Sequence, residues 1–150
     1  MTIGPIDHVG IVVRSIDEAL PRYRALFGLQ PASAVIEVAG QGVRLCFLPS
    51  GPAPAARLEL VEPIDPGSGI ARFLEQRGEG VHHVCFGSAD LVADLAALEA
   101  HGAELIDRQP RPGADGMVAF IHPHTLSGVL WELLQGEGKG ESEAAPQSNP

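Results

Sequence analysis

The sequence predicts an α+β fold built from two similar halves, and three observations lead to it. Two β-rich apolar runs carry a histidine at the same place: Asp7-His8-Val9-Gly10-Ile11-Val12-Val13 and His82-His83-Val84-Cys85-Phe86. Seven residues after His8 and His83 stand Ser15 and Asp90, residue types whose side-chain oxygens accept hydrogen bonds from the free N–H groups of a helix's first turn. Each half then closes on a strand-like run around one glutamate, Leu58-Glu59-Leu60-Val61 and Leu130-Trp131-Glu132-Leu133-Leu134, at 51 and 49 residues from its histidine. A repeat of this kind decides the architecture before any single element is read.

The elements follow in chain order. The run around His8 reads as a strand. Ile16, Ala19, Leu20, Tyr23 and Phe27 recur with a helical period, and Gly28 stands where that helix should end. Ala34–Val38, Val43–Leu48 and Leu58–Val61 read as strands, separated by the turn signals Gly40-Gln41-Gly42 and Pro49-Ser50-Gly51-Pro52. Pro63 to Gly80 joins the halves, with a short helix expected behind Ser68 and Ile70, Phe73 and Leu74 on its apolar face. In the second half Leu91, Leu95 and Leu98 give the helical period and Gly102 the stop. Glu104–Asp107, Met117–Ile121 and Val129–Leu134 read as strands, with Pro110–Gly116 and His122–Gly128 as the turns between them. Each half is therefore βαβββ. We expect one domain over residues 1–135, with modules at about 5–63 and 81–135 and a linker at 64–80. Residues 136–150 are small, polar and acidic and read as a disordered tail.

Composition bounds the function. The 150 residues are 45% hydrophobic and 19% charged, a globular balance for one domain. A net charge of −9 argues against nucleic acid as a partner, because phosphates meet repulsion over most of the surface. It leaves room for an anionic small ligand held by local arginines. No apolar run reaches the roughly 18–20 residues that a bilayer span needs. The N-terminal Met-Thr-Ile-Gly-Pro-Ile-Asp-His shows no signal-peptide pattern, so a cytoplasmic protein is expected. Cys46 and Cys85 read as a reduced pair.

A glutamate in the middle of an apolar strand is costly unless its charge is compensated. Strand periodicity points Glu132 away from Trp131 and Leu133, and Glu59 away from Leu58 and Leu60. Packing the two halves about a pseudo-twofold axis would bring His8, Glu59, His83 and Glu132 together. Two neighbouring buried carboxylates repel; a divalent cation removes that problem, and two imidazoles complete a mixed nitrogen and oxygen set suited to Co²⁺, Ni²⁺, Zn²⁺, Mn²⁺ or Fe²⁺. The plainer reading makes each histidine an ordinary core or surface residue and Glu59 an edge-strand residue facing solvent. His82 is expected on the other face, His101 at a surface helix end, and His122 and His124 in a turn.

These residues resemble the vicinal oxygen chelate superfamily, and within it the methylmalonyl-CoA epimerases. The resembling stretches are Asp7-His8-Val9-Gly10-Ile11, Leu60-Val61-Glu62-Pro63, Ile70-Ala71-Arg72-Phe73-Leu74, Gly78-Glu79-Gly80-Val81-His82-His83 and Arg111-Pro112-Gly113-Ala114, closed by His122-Pro123 and Gly128-Val129-Leu130-Trp131-Glu132-Leu133. They span roughly residues 5–135. The resemblance implies two tandem βαβββ modules forming a curved, barrel-like mixed sheet around a central metal site. It puts the metal ligands at His8, Glu59, His83 and Glu132, with one divalent ion per chain: Co²⁺ first, with Ni²⁺, Mn²⁺ or Zn²⁺ as substitutes. A homodimer is implied as well. Two positions depart from the pattern. Some epimerases carry a catalytic glutamate on the strand after the Gly-Val pair, where Gly42-Val43-Arg44 is followed here by Leu45. The family's usual lysine after the His-Pro pair is His124.

The implied reaction interconverts (S)- and (R)-methylmalonyl-CoA by loss and return of the C2 proton through a metal-stabilised enolate. Proton transfer on both faces calls for two bases, and Glu132 and Glu59 are the candidates. Arg72, Arg77, Arg108 and Arg111 are the candidates to hold the anionic CoA ester, each of which also reads as an ordinary surface arginine. Gly113-Ala114-Asp115-Gly116 reads either as a loop closing over substrate or as a hairpin turn. A lactoylglutathione lyase (glyoxalase I) would use the same ligands, but the linker sequence argues against it. A dioxygenase would need only His8, His83 and Glu132, and a non-enzymatic drug-binding relative none of the four.

Overall fold

The computed structural model describes residues 1–136. Its elements are β1 (Ile3–Val12), α1 (Ile16–Phe27), β2 (Ile36–Val38), β3 (Val43–Pro49), β4 (Arg57–Pro63), α2 (Gly69–Arg77), β5 (Gly80–Ser88), α3 (Leu91–Ala100), β6 (Arg111–Pro112), β7 (Gly116–Ile121) and β8 (Trp131–Gly136). The strands form one mixed sheet in the order β2-β3-β4-β1-β5-β8-β7-β6, curled into a half-barrel. The halves meet edge to edge where β1 runs antiparallel to β5. On either side of that seam, β4 lies parallel to β1 and β8 parallel to β5.

Strand periodicity divides the apolar residues between two faces. On the outer face Ile11, Val13, Leu48, Leu58 and Leu60 pack with Ile16, Leu20 and Tyr23 of α1. The second half repeats this with Phe86, Ala119, Ile121, Trp131 and Leu133 against Leu91, Leu95 and Leu98 of α3. The alternate residues, Val43, Leu45, Phe47 and Val61 in one half and Cys85, Val118, Phe120 and Leu134 in the other, form the concave face. Glu59 and Glu132 belong to that second set by register.

The helix ends follow local chemistry. The side chains of Ser15, Ser68 and Asp90 accept from Glu18, Ala71 and Ala93 N–H at 3.2, 3.1 and 3.0 Å. Gly28 ends α1 at φ 68°, a left-handed conformation that favours glycine. A further repeat appears here. Three residues beyond each strand glutamate, Glu62 accepts from Ile16 N–H and Gln135 from Leu91 N–H, at 3.2 and 2.7 Å. Each last strand thus fixes the first turn of its own half's helix.

Three expectations are corrected. Glu104–Asp107 is not a strand: it forms one bridge, Leu105 to Ile121. The N–H groups of Ile106 and Asp107 both donate to the Phe120 carbonyl, so the chain turns away instead of running along β7. The edge strand of the second half is β6, inside the segment expected to be a turn; it stops after two residues at Pro112, which has no N–H for a ladder. Residues 129 and 130 precede β8 instead of opening it. The tail expected over 136–150 lies outside the described residues except for Gly136, the end of β8. Both cysteines are free and buried, and among the described residues no helix is long and apolar enough to cross a membrane.

The fully buried Asp94 carboxylate ties the N-terminus to α3, accepting from Thr2 N–H (2.6 Å), Thr2 Oγ1 (2.8 Å) and Ser88 Oγ (2.7 Å). Burial pushes its carboxyl up, but the hydrogen bonds from Thr2 and Ser88 outweigh it and hold it below the ordinary range. Asp94→Ala strands those donors and should lower stability by about 2 kcal/mol in urea melts. Because the folded-state value is depressed, the stabilisation is present above about pH 4, the unfolded carboxyl's value, and is lost as the pH falls from there through the lower folded-state value. In the β1–β5 seam Gly10 stands opposite His83, and a Cβ there would overlap the imidazole. Gly10→Ala should therefore displace His83 and cost about 1–3 kcal/mol by overpacking, read as a lower Tm and a shifted His83 ring resonance.

Candidate metal centre

Four side chains from four adjacent interior strands converge on the concave face. His8 (β1) and His83 (β5) place their Nε2 atoms 3.2 Å apart. Glu132 (β8) has Oε2 at 3.2 Å from His8 Nε2 and 3.0 Å from His83 Nε2. Glu59 (β4) has Oε2 at 3.7 Å from His8 Nε2 and Oε1 at 3.5 Å from His83 Nε2. All four residues are at most 7% exposed. Glu59 is therefore on an interior strand and out of solvent, not at an edge.

Each imidazole is oriented from behind by the residue that precedes it. His8 Nδ1 lies 2.7 Å from Asp7 Oδ1, and His83 Nδ1 lies 2.9 Å from His82 Nδ1. His82 was expected to point to the other face; its ring instead reaches His83 and packs edge-on against Phe73. Phe47 and Phe120 stand edge-on to His8 and His83 respectively, again in repeat-related positions.

The electrostatics call for a cation. With Nδ1–H of His8 donated to Asp7, its Nε2 faces carboxylate oxygens and the Nε2 of a second imidazole. A proton meets this need in the chain alone. Burial opposes charging His8, but hydrogen bonds with Asp7, Cys85 and Glu132 and the charge of Glu59 raise it to about 12. The hydrogen bond from His8 holds Asp7 down at about 2. For Glu132 burial pushes upward, and hydrogen bonds from His8 and His83 more than reverse it, to about 2. Burial pushes the Glu59 carboxyl up. Burial, together with the charge of His83, lowers His82 to about 4 and keeps it neutral. The donor set fits a divalent ion: two imidazole nitrogens with their other nitrogens engaged from behind and two buried carboxylates, with His8, Glu59 and His83 grouped closely enough to share one ion and Glu132 within 3.2 Å of both imidazoles.

The pocket at this centre holds about 50 Å³ and is lined in part by Val43, Leu45, Glu59, His83, Phe120 and Glu132. Leu45 turns inward and is 4% exposed, so β3 brings an apolar surface to the site. Gly113 and Ala114 also line it, and Ala114 packs against the Val43, Leu45, Phe47 and Val61 cluster of the other half. The Gly113–Gly116 segment thus covers the site. Of the candidate arginines, Arg111 reaches the site's rim, 5.2 Å over the Phe120 ring and 3.1 Å from Asp107. Arg72 and Arg77 flank a separate groove of about 460 Å³ with Phe73 and His82. Arg108 is exposed and paired with Glu99. Sequence reasoning missed Asp7, which directly precedes a singled-out histidine, and Arg57, which lies 3.9 Å over Phe47. It also missed Phe47 and Phe120, although they share the 73-residue spacing of Glu59 and Glu132.

Comparison with known proteins agrees with this architecture. The chain is 39% identical over 139 residues to the uncharacterised protein YqjC of Bacillus subtilis, covering 92% of this chain and 96% of that one. It is 35% identical over 136 residues to the ethylmalonyl-CoA/methylmalonyl-CoA epimerase of Cereibacter sphaeroides, covering 89% and 98%. It is similar to the structure of a variant of Streptomyces coelicolor methylmalonyl-CoA epimerase in complex with 2-nitronate-propionyl-CoA, with TM-score 0.83 and 34% identity over 91% of this chain and 99% of that one. The family model of the Glyoxalase/Bleomycin resistance protein/Dioxygenase superfamily matches residues 7–120. With that match spanning most of the chain, and with paired βαβββ halves meeting at one buried histidine and glutamate centre, this protein belongs to the glyoxalase/bleomycin resistance protein/dioxygenase superfamily.

Proposed function

We propose that this chain is a metal-dependent epimerase that interconverts (S)- and (R)-methylmalonyl-CoA. The observation that carries the reading is the pair of buried carboxylates, one from each half, that contact the same two imidazoles in an otherwise largely apolar pocket. The relative in Cereibacter sphaeroides bears an epimerase name. The similar Streptomyces coelicolor structure holds a nitronate thioester, which is planar and anionic beside the thioester carbonyl, as a substrate deprotonated at C2 would be. In this reading His8, Glu59, His83 and Glu132 hold one divalent ion, Co²⁺ foremost. Bound there, the ion supplies positive charge beside the substrate's oxygens and makes the C2 proton easier to lose.

The rest is the work of the chain's own groups. Inversion at C2 needs a proton removed on one face and returned on the other. In this reading Glu132 and Glu59, one from each half and both beside the same two imidazoles, are the two bases. The apolar walls from Leu45, Val61 and Phe120 exclude water, which strengthens the charge effects inside. Asp7 and His82 keep the two imidazoles facing inward. Arg111 at the rim is the best placed of the four candidate arginines to meet the acyl-CoA's negative charge. A homodimer and a cytoplasmic location accompany this reading.

Two measurements test it. In D₂O, the Co²⁺-loaded protein should exchange the C2 proton of methylmalonyl-CoA, followed by NMR, and should not turn over the glutathione hemithioacetal. Glu132→Gln should slow C2 exchange by about 10²–10⁴-fold, and full exchange in that variant would remove Glu132 as a base. Glu59→Gln should separate the two half-reactions, with exchange from one enantiomer outlasting interconversion. Calorimetry should find one Co²⁺ per chain, with proton release on binding. Since His8 is held protonated in the free protein, the proton competes with the ion, and affinity should rise with pH. A pH-independent affinity would speak against His8 as a ligand.

A further inference from the structure

Arg57 opens β4, two residues before Glu59, and its guanidinium makes three contacts at once. Its Cζ lies over Phe47, 3.9 Å from the ring centroid. Its Nη2 donates to Asp7 Oδ1 at 2.7 Å, and its Nη1 to Asp115 Oδ2 at 2.8 Å. Asp7 Oδ1 is the same oxygen that engages His8 Nδ1. Asp115 belongs to the covering segment between β6 and β7, where Gly113 N–H donates to the Gly116 carbonyl at 2.7 Å and Ala114 closes the pocket. One guanidinium from the first half therefore joins the cover supplied by the second half to an inward-facing imidazole.

The space beneath the cover makes this connection consequential. About 50 Å³ admits an ion and a few waters, at about 10–15 Å³ of such space per water. It does not admit a branched acyl thioester, which calls for a site of about 300 Å³ or more. The cover has to lift for entry. The Asp115 arm is the more exposed of the two, 38% for its side chain against 31% for Asp7, and only Asp115 belongs to the covering segment; exposed pairs are weak, so it is the arm that opens. Closure then restores a second carboxylate to Arg57 and presses its plane onto Phe47, which aims Nη2 at Asp7.

We propose that Arg57 is a positioning residue that couples closure of the Gly113–Gly116 segment to the orientation of His8, acting through Asp115 on one side and Asp7 on the other. Only arginine suits this place, because its planar fork serves two carboxylates in fixed directions while stacking on a ring. What enters the pocket, and with it the need for the cover to lift, rests on the epimerase reading; the link from Asp115 through Arg57 and Asp7 to His8 does not.

The test uses the full chain and two variants, Asp115→Asn and Arg57→Gln, singly and combined. Three quantities are read: hydrogen exchange of the backbone amides of residues 113–118, the exchange rate of the His8 Nδ1 proton with water by NMR, and Co²⁺ affinity. Asp115→Asn should raise amide exchange severalfold and also speed His8 Nδ1 exchange, although it touches neither His8 nor Asp7. Arg57→Gln should do both and weaken Co²⁺ binding about tenfold, and the double variant should add nothing to Arg57→Gln. With methylmalonyl-CoA, KM should rise more than kcat falls in both single variants. The proposal is overturned if Asp115→Asn frees the segment and leaves His8 Nδ1 exchange unchanged, or if the two substitutions add independently. Should Arg57→Gln not fold, Asp115→Asn alone decides, since the residue is partly exposed. Absence of epimerisation in the unaltered protein would defeat the functional reading, while the two exchange measurements would still decide the coupling.

Discussion

Burying Glu59 and Glu132 in interior strands is the constraint on which the site's surroundings depend. A buried carboxylate in a pocket shared with Val43, Leu45, Val61 and Phe120 is tolerable only beside a cation or a set of donors. Each glutamate meets the same two imidazoles, and each imidazole is braced by the residue before it in sequence. The positive charge needed at the centre is thereby fixed in place, whether a proton or a metal ion supplies it. The aromatic rings of Phe47 and Phe120 wall the imidazoles on either side.

The seam between the halves turns this local requirement into an architecture. Antiparallel pairing of β1 with β5 sets His8 against Cys85 and Gly10 against His83. Both imidazoles then lie on one face within hydrogen-bonding distance. A one-residue slip would send one of them to the helix side. Gly10 holds the register open, since any side chain there would occupy the space of the His83 ring. The parallel neighbours β4 and β8 bring the glutamates to the same depth, while Glu62 and Gln135 anchor α1 and α3 from the far ends of those strands. Helix placement and site geometry share two strands and are set together.

The elements with strong periodicity and clear punctuation were legible in the sequence. The caps Ser15, Ser68 and Asp90 and the stop at Gly28 stand where the spacing put them. The segment after α3 was not legible. Glu104–Asp107 has strand-like composition, yet its two amides converge on one carbonyl of β7, a tertiary arrangement that composition does not encode. The proline-bearing β6 reads locally as a turn and becomes a strand only because β7 lies alongside. Within the site, the four central residues were marked by apolar surroundings and nearly equal spacing. Their supports were not, because an aspartate beside a histidine and an arginine near a glutamate have many ordinary explanations on a surface.

By itself the sequence determined the repeat, the order of elements, and the choice of His8, Glu59, His83 and Glu132 as one constellation. These follow from local rules: alternation on strands, capping chemistry, and the cost of a charge in an apolar run. Only the tertiary structure decided which side chains support that constellation. His82 turns to its neighbour's ring, Arg57 bridges Asp7 and Asp115, and a loop from the second half lies over the pocket. The physical reason is distance along the chain. Arg57 and Asp115 lie 58 residues apart, and their contact exists only once two sheets have joined at one edge and curled around a shared centre.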